Sequence, residues 1–129
     1  MNTLKLSPLG ESRFPDIPGL KFYEAEGGLL YFDTSHRLAA LGPETGLSVG
    51  DFFTRFDFFV GTLCEALAVG QESLAVGDGN SDHVYLDECL IVPFLAYTER
   101  WFAPWMFLRV EELLRLGFTV NDDMARYLY

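Results

Sequence analysis

The chain has 129 residues, of which 50% are hydrophobic and 16% aromatic, and 19 acidic residues against nine lysines and arginines give a formal net charge of −10. This length predicts one domain over residues 1–129 with its own core, and the composition excludes a disordered segment. The negative charge repels phosphates and anionic headgroups, so we expect no direct binding of nucleic acid and no membrane association.

The amino-terminal part predicts an arm, a hairpin and a short helix. Residues 1–19 contain three prolines and no sustained periodicity, which indicates an extended, Pro-containing arm. Two aromatic-rich stretches, residues 20–25 and 29–33, flank two consecutive glycines and predict a β-hairpin. A short helix should follow, with Thr34 or Ser35 as its N-cap and Gly42 as its end.

The clearest predicted element is a helix over residues 48–68. Ser48 with Asp51 three residues later is typical of a capping box, and Gly70 ends the pattern. Apolar side chains recur at helical spacing and predict a face that packs on the core: Phe52, Phe56, Phe59, Val60, Leu63 and Leu67. Phe58 falls among the polar positions, so we expect it to be partly exposed and available to a partner.

The second half predicts a further hairpin and a second main helix. Residues 73–76 and 83–92 suit strands around a glycine-rich turn, and Pro93 should end the ladder or mark a sheet edge. Residues 94–102 are ambiguous, with helix slightly favoured. A helix over residues 104–116 should then pack on the core through one apolar face, made of Met106, Phe107, Val110, Leu113 and Leu114.

Asn121 can cap a final short helix. Together these elements predict an α+β fold, in which a small, mostly antiparallel sheet built from two hairpins packs against two main amphipathic helices.

The turn "GDGNSD" suggests a calcium loop for only three positions. Asp78, Asn80 and Asp82 alternate as oxygen ligands do, but the sixth position is His83 instead of glycine and the twelfth is Cys89 instead of glutamate. We therefore interpret this stretch as the turn between two strands. Cys64 and Cys89 belong to no Cys–His pattern, so we predict no metal and no cofactor.

Candidate catalytic residues are few. Asp33, Ser35 and His36 have the composition of a catalytic triad, but such close neighbours rarely converge on one carbonyl, and Ser35 is better explained as a helix cap. His36 and His83 remain candidate ligand-binding residues, each able to give or take a proton near neutral pH.

The most unusual feature is "WFAPWMFL" at residues 101–108, eight consecutive apolar residues that one helix face cannot bury. Aromatic side chains are favoured as buried anchors at interfaces. The predicted partner-binding residues are Phe58, Trp101, Phe102, Trp105, Tyr127 and Tyr129. The competing interpretation is a helix junction buried beneath the amino-terminal arm.

Three functional hypotheses follow. The first is a non-catalytic, acidic protein-binding module, such as an inhibitor, immunity protein or chaperone, which binds a protein with a basic surface or a second copy of itself. The second is a small enzyme or ligand binder with an aromatic-lined pocket. The third is an inhibitor that mimics nucleic acid. Since no signal peptide or run of about 18 apolar residues is evident, we expect a cytoplasmic protein.

Overall fold

A computed structural model describes residues 2–9, 20–79 and 82–117. The chain divides into two compact units, Met1–Phe94 and Leu95–Tyr129. The fold is α+β, as predicted. The assignment of residues 1–129 to one domain stays a prediction, and the helix expected after Asn121 lies outside the described residues.

The first unit is built around one curled sheet. Its strands are β1 (Asn2–Thr3), β2 (Leu6–Pro8), β3 (Phe22–Ala25), β4 (Leu30–Asp33), β5 (Ala75–Gly77) and β6 (Tyr85–Asp87). Their order is β1-β5-β6-β4-β3-β2. Every pair is antiparallel except β1 with β5, which confirms a mostly antiparallel sheet whose β3–β4 and β5–β6 pairs are the two predicted hairpins.

The β3–β4 hairpin forms because its turn holds two glycines. Gly27 and Gly28 have φ angles of 86° and 80°, a backbone conformation that side-chain-bearing residues rarely adopt. The Ala25 amide donates to the Leu29 carbonyl across 2.8 Å, which closes the turn. The described part of the amino-terminal arm is extended as predicted, and it adds β1 at one end of the sheet and β2 at the other.

The described helices are α1 (Thr34–Leu41), α2 (Val49–Arg55), α3 (Asp57–Leu67), α4 (Ile91–Thr98) and α5 (Phe102–Leu116). The predicted cap of α1 was wrong. Asp33, not Thr34 or Ser35, is the N-cap, and its Oδ1 accepts hydrogen bonds from the amides of Ser35 and His36. The Thr34 hydroxyl instead donates to the Val84 carbonyl across 2.6 Å, so it ties the start of the helix to the sheet.

The single helix predicted over residues 48–68 is two helices. Ser48 caps α2 as predicted, since its hydroxyl accepts the Asp51 amide at 3.0 Å. Phe56 then leaves helical geometry, with φ −106° and ψ 22°. Its ring packs on that of Phe52, with 5.1 Å between centroids. This packing accompanies the break, which no glycine or proline marks in the sequence.

The strand predicted over residues 83–92 was too long. It ends at Asp87, whose carboxylate accepts the Cys89 amide at 2.9 Å and starts a helical turn. The next helix, α4, contains Pro93 in its first turn, where a missing N–H costs nothing. Pro93 therefore marks neither a ladder end nor a sheet edge, and β6 lies in the middle of the sheet.

The two faces of the sheet differ in character. One face buries Phe32 and Leu86, which are register partners, and the Phe32 ring packs on Phe94 at 5.5 Å. Phe94 in turn packs on Phe52 of α2 at 5.3 Å. The other face carries a second cluster of Ala25, Tyr31, Val76 and Tyr85, with Leu4, Leu6 and Tyr23 packed against it. In the described part of the chain, no helix has the length and apolar character needed to cross a membrane.

Candidate functional site

The surface of α5 carries several exposed apolar side chains. None of the residues of this helix is buried, and the packing of its apolar face on the core stays a prediction. Phe107, Val110 and Leu114 recur at i, i+3 and i+7 and are 66%, 43% and 82% exposed. This spacing places them in one row along the helix, and we call these three residues the apolar strip.

The charged residues of α5 bind one another. Arg109 donates to Glu112 at 2.7 Å, and Arg115 donates to Glu111 at 2.9 Å. Because these four charges form two pairs within one helix, they leave the helix close to electrically neutral. The acidity of the chain comes from elsewhere, since residues 1–94 contain 14 of its 19 acidic residues and five of its nine lysines and arginines.

The two tryptophans near the start of α5 carry arginine side chains over their rings. The Arg100 guanidinium lies 5.0 Å from the ring centroid of Trp101, and that of Arg109 lies 5.5 Å from the Trp105 ring. Phe102 packs on Trp105 at 5.8 Å. Both tryptophans are exposed, and Trp101 is exposed by 67%. A cation–π contact at an exposed site contributes about 0.5–1 kcal/mol.

Other predicted partner-binding residues are distributed more widely. Phe58 belongs to α3 in the first unit and is 87% exposed, as its polar neighbours predicted. Tyr127 and Tyr129 lie outside the described residues. The structure adds Phe107 and Leu114, which sequence reasoning assigned to a buried face. The signal that could have identified Phe107 is the apolar run at residues 101–108, which is longer than one face can bury, whereas Leu114 lies outside that run.

The two histidines occupy different settings. The His83 Nδ1 lies 3.0 Å from Oδ2 of Asp33, so a residue of the β5–β6 connection is linked to the cap of α1. His36 is half-buried on α1, where its amide donates to the same carboxylate. Asp33 therefore joins the two candidate ligand-binding residues, one by its ring and the other by its backbone.

Two tyrosines and a further carboxylate, Asp78, contact one another on the same sheet. The Tyr85 hydroxyl donates to Asp78 at 2.9 Å, and the Tyr23 ring packs edge-on against Tyr85 at 5.1 Å. Burial raises the pKa of Tyr23, and the nearby charges of Asp33 and Asp78 raise it further. The Tyr23 hydroxyl therefore loses its proton at a higher pH than an ordinary tyrosine.

The turn that resembles a calcium loop over its first positions has a structural role at its described end, because Asp78 accepts a hydrogen bond from the Tyr85 hydroxyl. Among residues 2–9, 20–79 and 82–117, no three His, Cys, Asp or Glu side chains are grouped as a metal ion would require. Cys64 and Cys89 are both half-buried free thiols.

The chain matches no protein-family model, and no curated protein or solved structure is significantly similar to it.

Proposed function

We propose that this chain is a protein-binding module that engages a partner protein through α5. The observation that supports this proposal is the apolar strip, in which Phe107, Val110 and Leu114 stand exposed at i, i+3 and i+7. An amphipathic helix that presents such a row to a hydrophobic groove is a recurring mode of protein recognition. Binding at this surface requires no catalysis.

The energetics favour an apolar groove as the matching surface. Full burial of a side chain such as Phe, Val or Leu contributes about 1.5–3 kcal/mol, so the three anchors supply a part of the binding free energy and further contacts must supply the rest. The charges of α5 pair with one another, so they make little demand on the partner. Trp101 and Trp105, whose rings lie beneath the guanidinium groups of Arg100 and Arg109, are proposed as additional contacts at the start of the helix.

We propose a different protein as the occupant, because two copies that each carry a net charge of −10 repel one another. The acidic residues lie mostly within residues 1–94, so a partner with basic residues beyond its groove would gain further attraction. An inhibitor, an immunity protein or a chaperone would act in this way, by covering a partner's surface.

The test is a competition capture from native lysate. Immobilised wild-type protein collects partners, which mass spectrometry identifies, while soluble wild type, Phe107→Asp or Leu114→Asp competes. A matched control is Leu29→Asp, since Leu29 is 53% exposed in the β3–β4 turn of the first unit. We expect wild type and Leu29→Asp to displace the same protein, and both α5 variants to require a roughly 10- to 100-fold higher concentration.

Two outcomes count against the proposal. If wild type, both α5 variants and Leu29→Asp displaced the partner equally well, α5 would not be the binding surface. A purified chain that sediments as a dimer, and as a monomer after Leu114→Asp, would make a second copy the occupant instead of a partner.

A further inference from the structure

The amino-terminal stretch of residues 2–9 connects the two ends of the sheet. It contains β1, which lies next to β5, and β2, which lies next to β3, and only two residues separate these two strands. The Leu4 amide donates to the Gly77 carbonyl across 2.8 Å, and the Leu9 amide donates to the Phe22 carbonyl across 3.0 Å. One short stretch therefore closes the curled sheet, and we call residues 2–9 the closing segment.

The closing segment is held by few contacts. Its pairing covers two residues against β5 and three against β3, and none of the side chains of residues 3–9 is buried. Leu4 and Leu6 are partly buried against the second cluster of the sheet. A segment with few buried apolar contacts opens locally at a smaller free-energy cost than the whole fold. Release of the closing segment therefore costs less free energy than unfolding of the first unit.

The β2–β3 pair carries a groove in which negative charge exceeds positive charge. The groove has a volume of about 380 Å³ and is lined by Lys5, Ser7, Glu24, Ala25 and Glu26. Ser7 is the register partner of Glu24, and the same antiparallel register places Lys5 opposite Glu26. The closing segment therefore supplies one cation for two carboxylates.

We propose that the gap between β3 and β5 is a peptide-binding site, filled by the closing segment until an extended segment of another protein, with alternating leucine and basic residues, replaces it. The leucines take the places of Leu4 and Leu6, and the basic residues face Glu26 and Glu24 from the other side of the strand. In recognition by strand addition, main-chain hydrogen bonds provide affinity and alternate side chains provide specificity.

The charges favour another protein over a second copy of this chain. A second copy offers the same Lys5 and Ser7, so the exchange adds no contact, and two chains of net charge −10 repel one another. A segment with a basic residue in the place of Ser7 adds an opposite-charge pair with Glu24. The site lies within residues 1–94 and does not involve α5, so the two proposals succeed or fail separately.

The test measures the binding of fluorescein-labelled peptides to the full chain by fluorescence anisotropy. The basic peptide is residues 2–9 with Ser7→Lys, and the acidic peptide is the same stretch with Lys5→Glu and Ser7→Glu. We expect wild type to prefer the basic peptide roughly 10-fold, because each cross-strand pair changes from attraction to repulsion. A chain with Lys5→Glu should bind the basic peptide more tightly than wild type does, since its own closing segment then repels both carboxylates.

Two double variants of the full chain separate this site from the overall charge. Glu24→Lys with Glu26→Lys should reverse the preference, so that the acidic peptide binds more tightly. Glu44→Lys with Glu65→Lys is the matched control, because it changes the net charge equally and should leave the preference for the basic peptide. All four glutamates are exposed residues of the first unit, so the substitutions do not disturb its core.

Amide hydrogen exchange identifies the strand that the peptide displaces. Saturating basic peptide should accelerate exchange at the Leu4 and Leu9 amides, because both lose their carbonyl partners when the closing segment leaves.

Four results would overturn the proposal. The first is equal binding of both peptides to wild type, and the second is the same peptide preference in the two double variants. The third is bound peptide with no change in exchange at Leu4 and Leu9. The fourth is no binding to the Lys5→Glu chain at about 1 mM peptide, which is the order of the effective concentration of a tethered segment.

Discussion

Arg109 and Glu112 form a 2.7 Å ion pair on α5, and each side chain has less than a quarter of its surface exposed. Phe107 and Leu114 on the same helix are mostly exposed. This reverses the usual distribution, in which charged side chains face water and large apolar ones avoid it. The reversal gives α5 an apolar surface whose charged side chains pair with one another, and this surface is the contact that we propose for a partner protein.

The core of the first unit should be far more sensitive to truncation than its exposed aromatics. Phe52 is fully buried and packs on Phe94, whereas Phe58 is 87% exposed. We expect Phe52→Ala to lower the free energy of unfolding by about 3–5 kcal/mol, through lost burial and a cavity. Phe58→Ala should change it by less than about 0.5 kcal/mol. Urea unfolding of both variants provides the comparison, and similar losses would contradict the described packing.

Asp33 should contribute to stability through two separate contacts. Asp33→Ala removes the N-cap of α1, worth about 1 kcal/mol, and the hydrogen bond to His83. We expect a total loss of about 2 kcal/mol in urea unfolding, and a smaller loss for Asp33→Asn, which keeps an oxygen for the cap. Asp82→Ala is the control because that residue is exposed. A loss in Asp33→Ala no larger than in this control would rule out both roles.

Cys89 should resist alkylation. Burial, followed by the hydrogen bond and the charge of Asp87, raises the pKa of the Cys89 thiol from 9.0 to about 12. The thiolate is the reactive form, so at pH 8 the folded protein should react with iodoacetamide about 10³-fold more slowly than an ordinary thiol. The measurement uses Cys64→Ala, which leaves Cys89 as the single thiol, and compares folded protein with protein in urea. Equal rates would contradict the environment described for Cys89.

Two tyrosines should titrate late. Burial raises the pKa of both Tyr23 and Tyr31 above 10.0. The charges of Asp33 and Asp78 raise the pKa of Tyr23 further, and those of Asp87 and Cys89 raise the pKa of Tyr31 further. Since folding favours the neutral phenols, their stabilisation is complete below pH 10 and is lost as pH rises through the folded-state pKa values. Tyrosinate absorbance should show a late phase that shrinks in Tyr23→Phe and Tyr31→Phe. Unchanged titration in both variants would oppose this assignment.

Local signals in the sequence were sufficient for many of the elements. The paired glycines at 27 and 28 predicted the β3–β4 hairpin, and Ser48 predicted the start of α2, because each acts within a few residues. The helical periodicity did not predict the break at Phe56, because no glycine or proline marks it in the sequence. The sequence pattern also failed at Asp87, since a side chain that starts a helical turn is not distinguished from a polar strand residue by alternation alone.

The candidate sites were predicted only in part. The exposure of Phe58 followed from its polar neighbours, whereas the helical periodicity of α5 did not indicate that Phe107 and Leu114 are exposed. His83 was identified by residue type, but its partner Asp33 lies 50 residues earlier in the chain. Contacts over such a separation depend on strand order, which the sequence pattern did not reveal.

The most direct test of the α5 surface is photo-crosslinking from two positions on the same helix. A photoreactive residue replaces either Leu114, on the apolar strip, or Arg115, whose side chain is 60% exposed and pairs with Glu111. Successive helical residues point about 100° apart, so only one probe faces the proposed groove. We predict that position 114 crosslinks the protein identified by competition capture and that position 115 does not. Equal crosslinking from both positions, or crosslinks only between copies of this chain, would contradict the account.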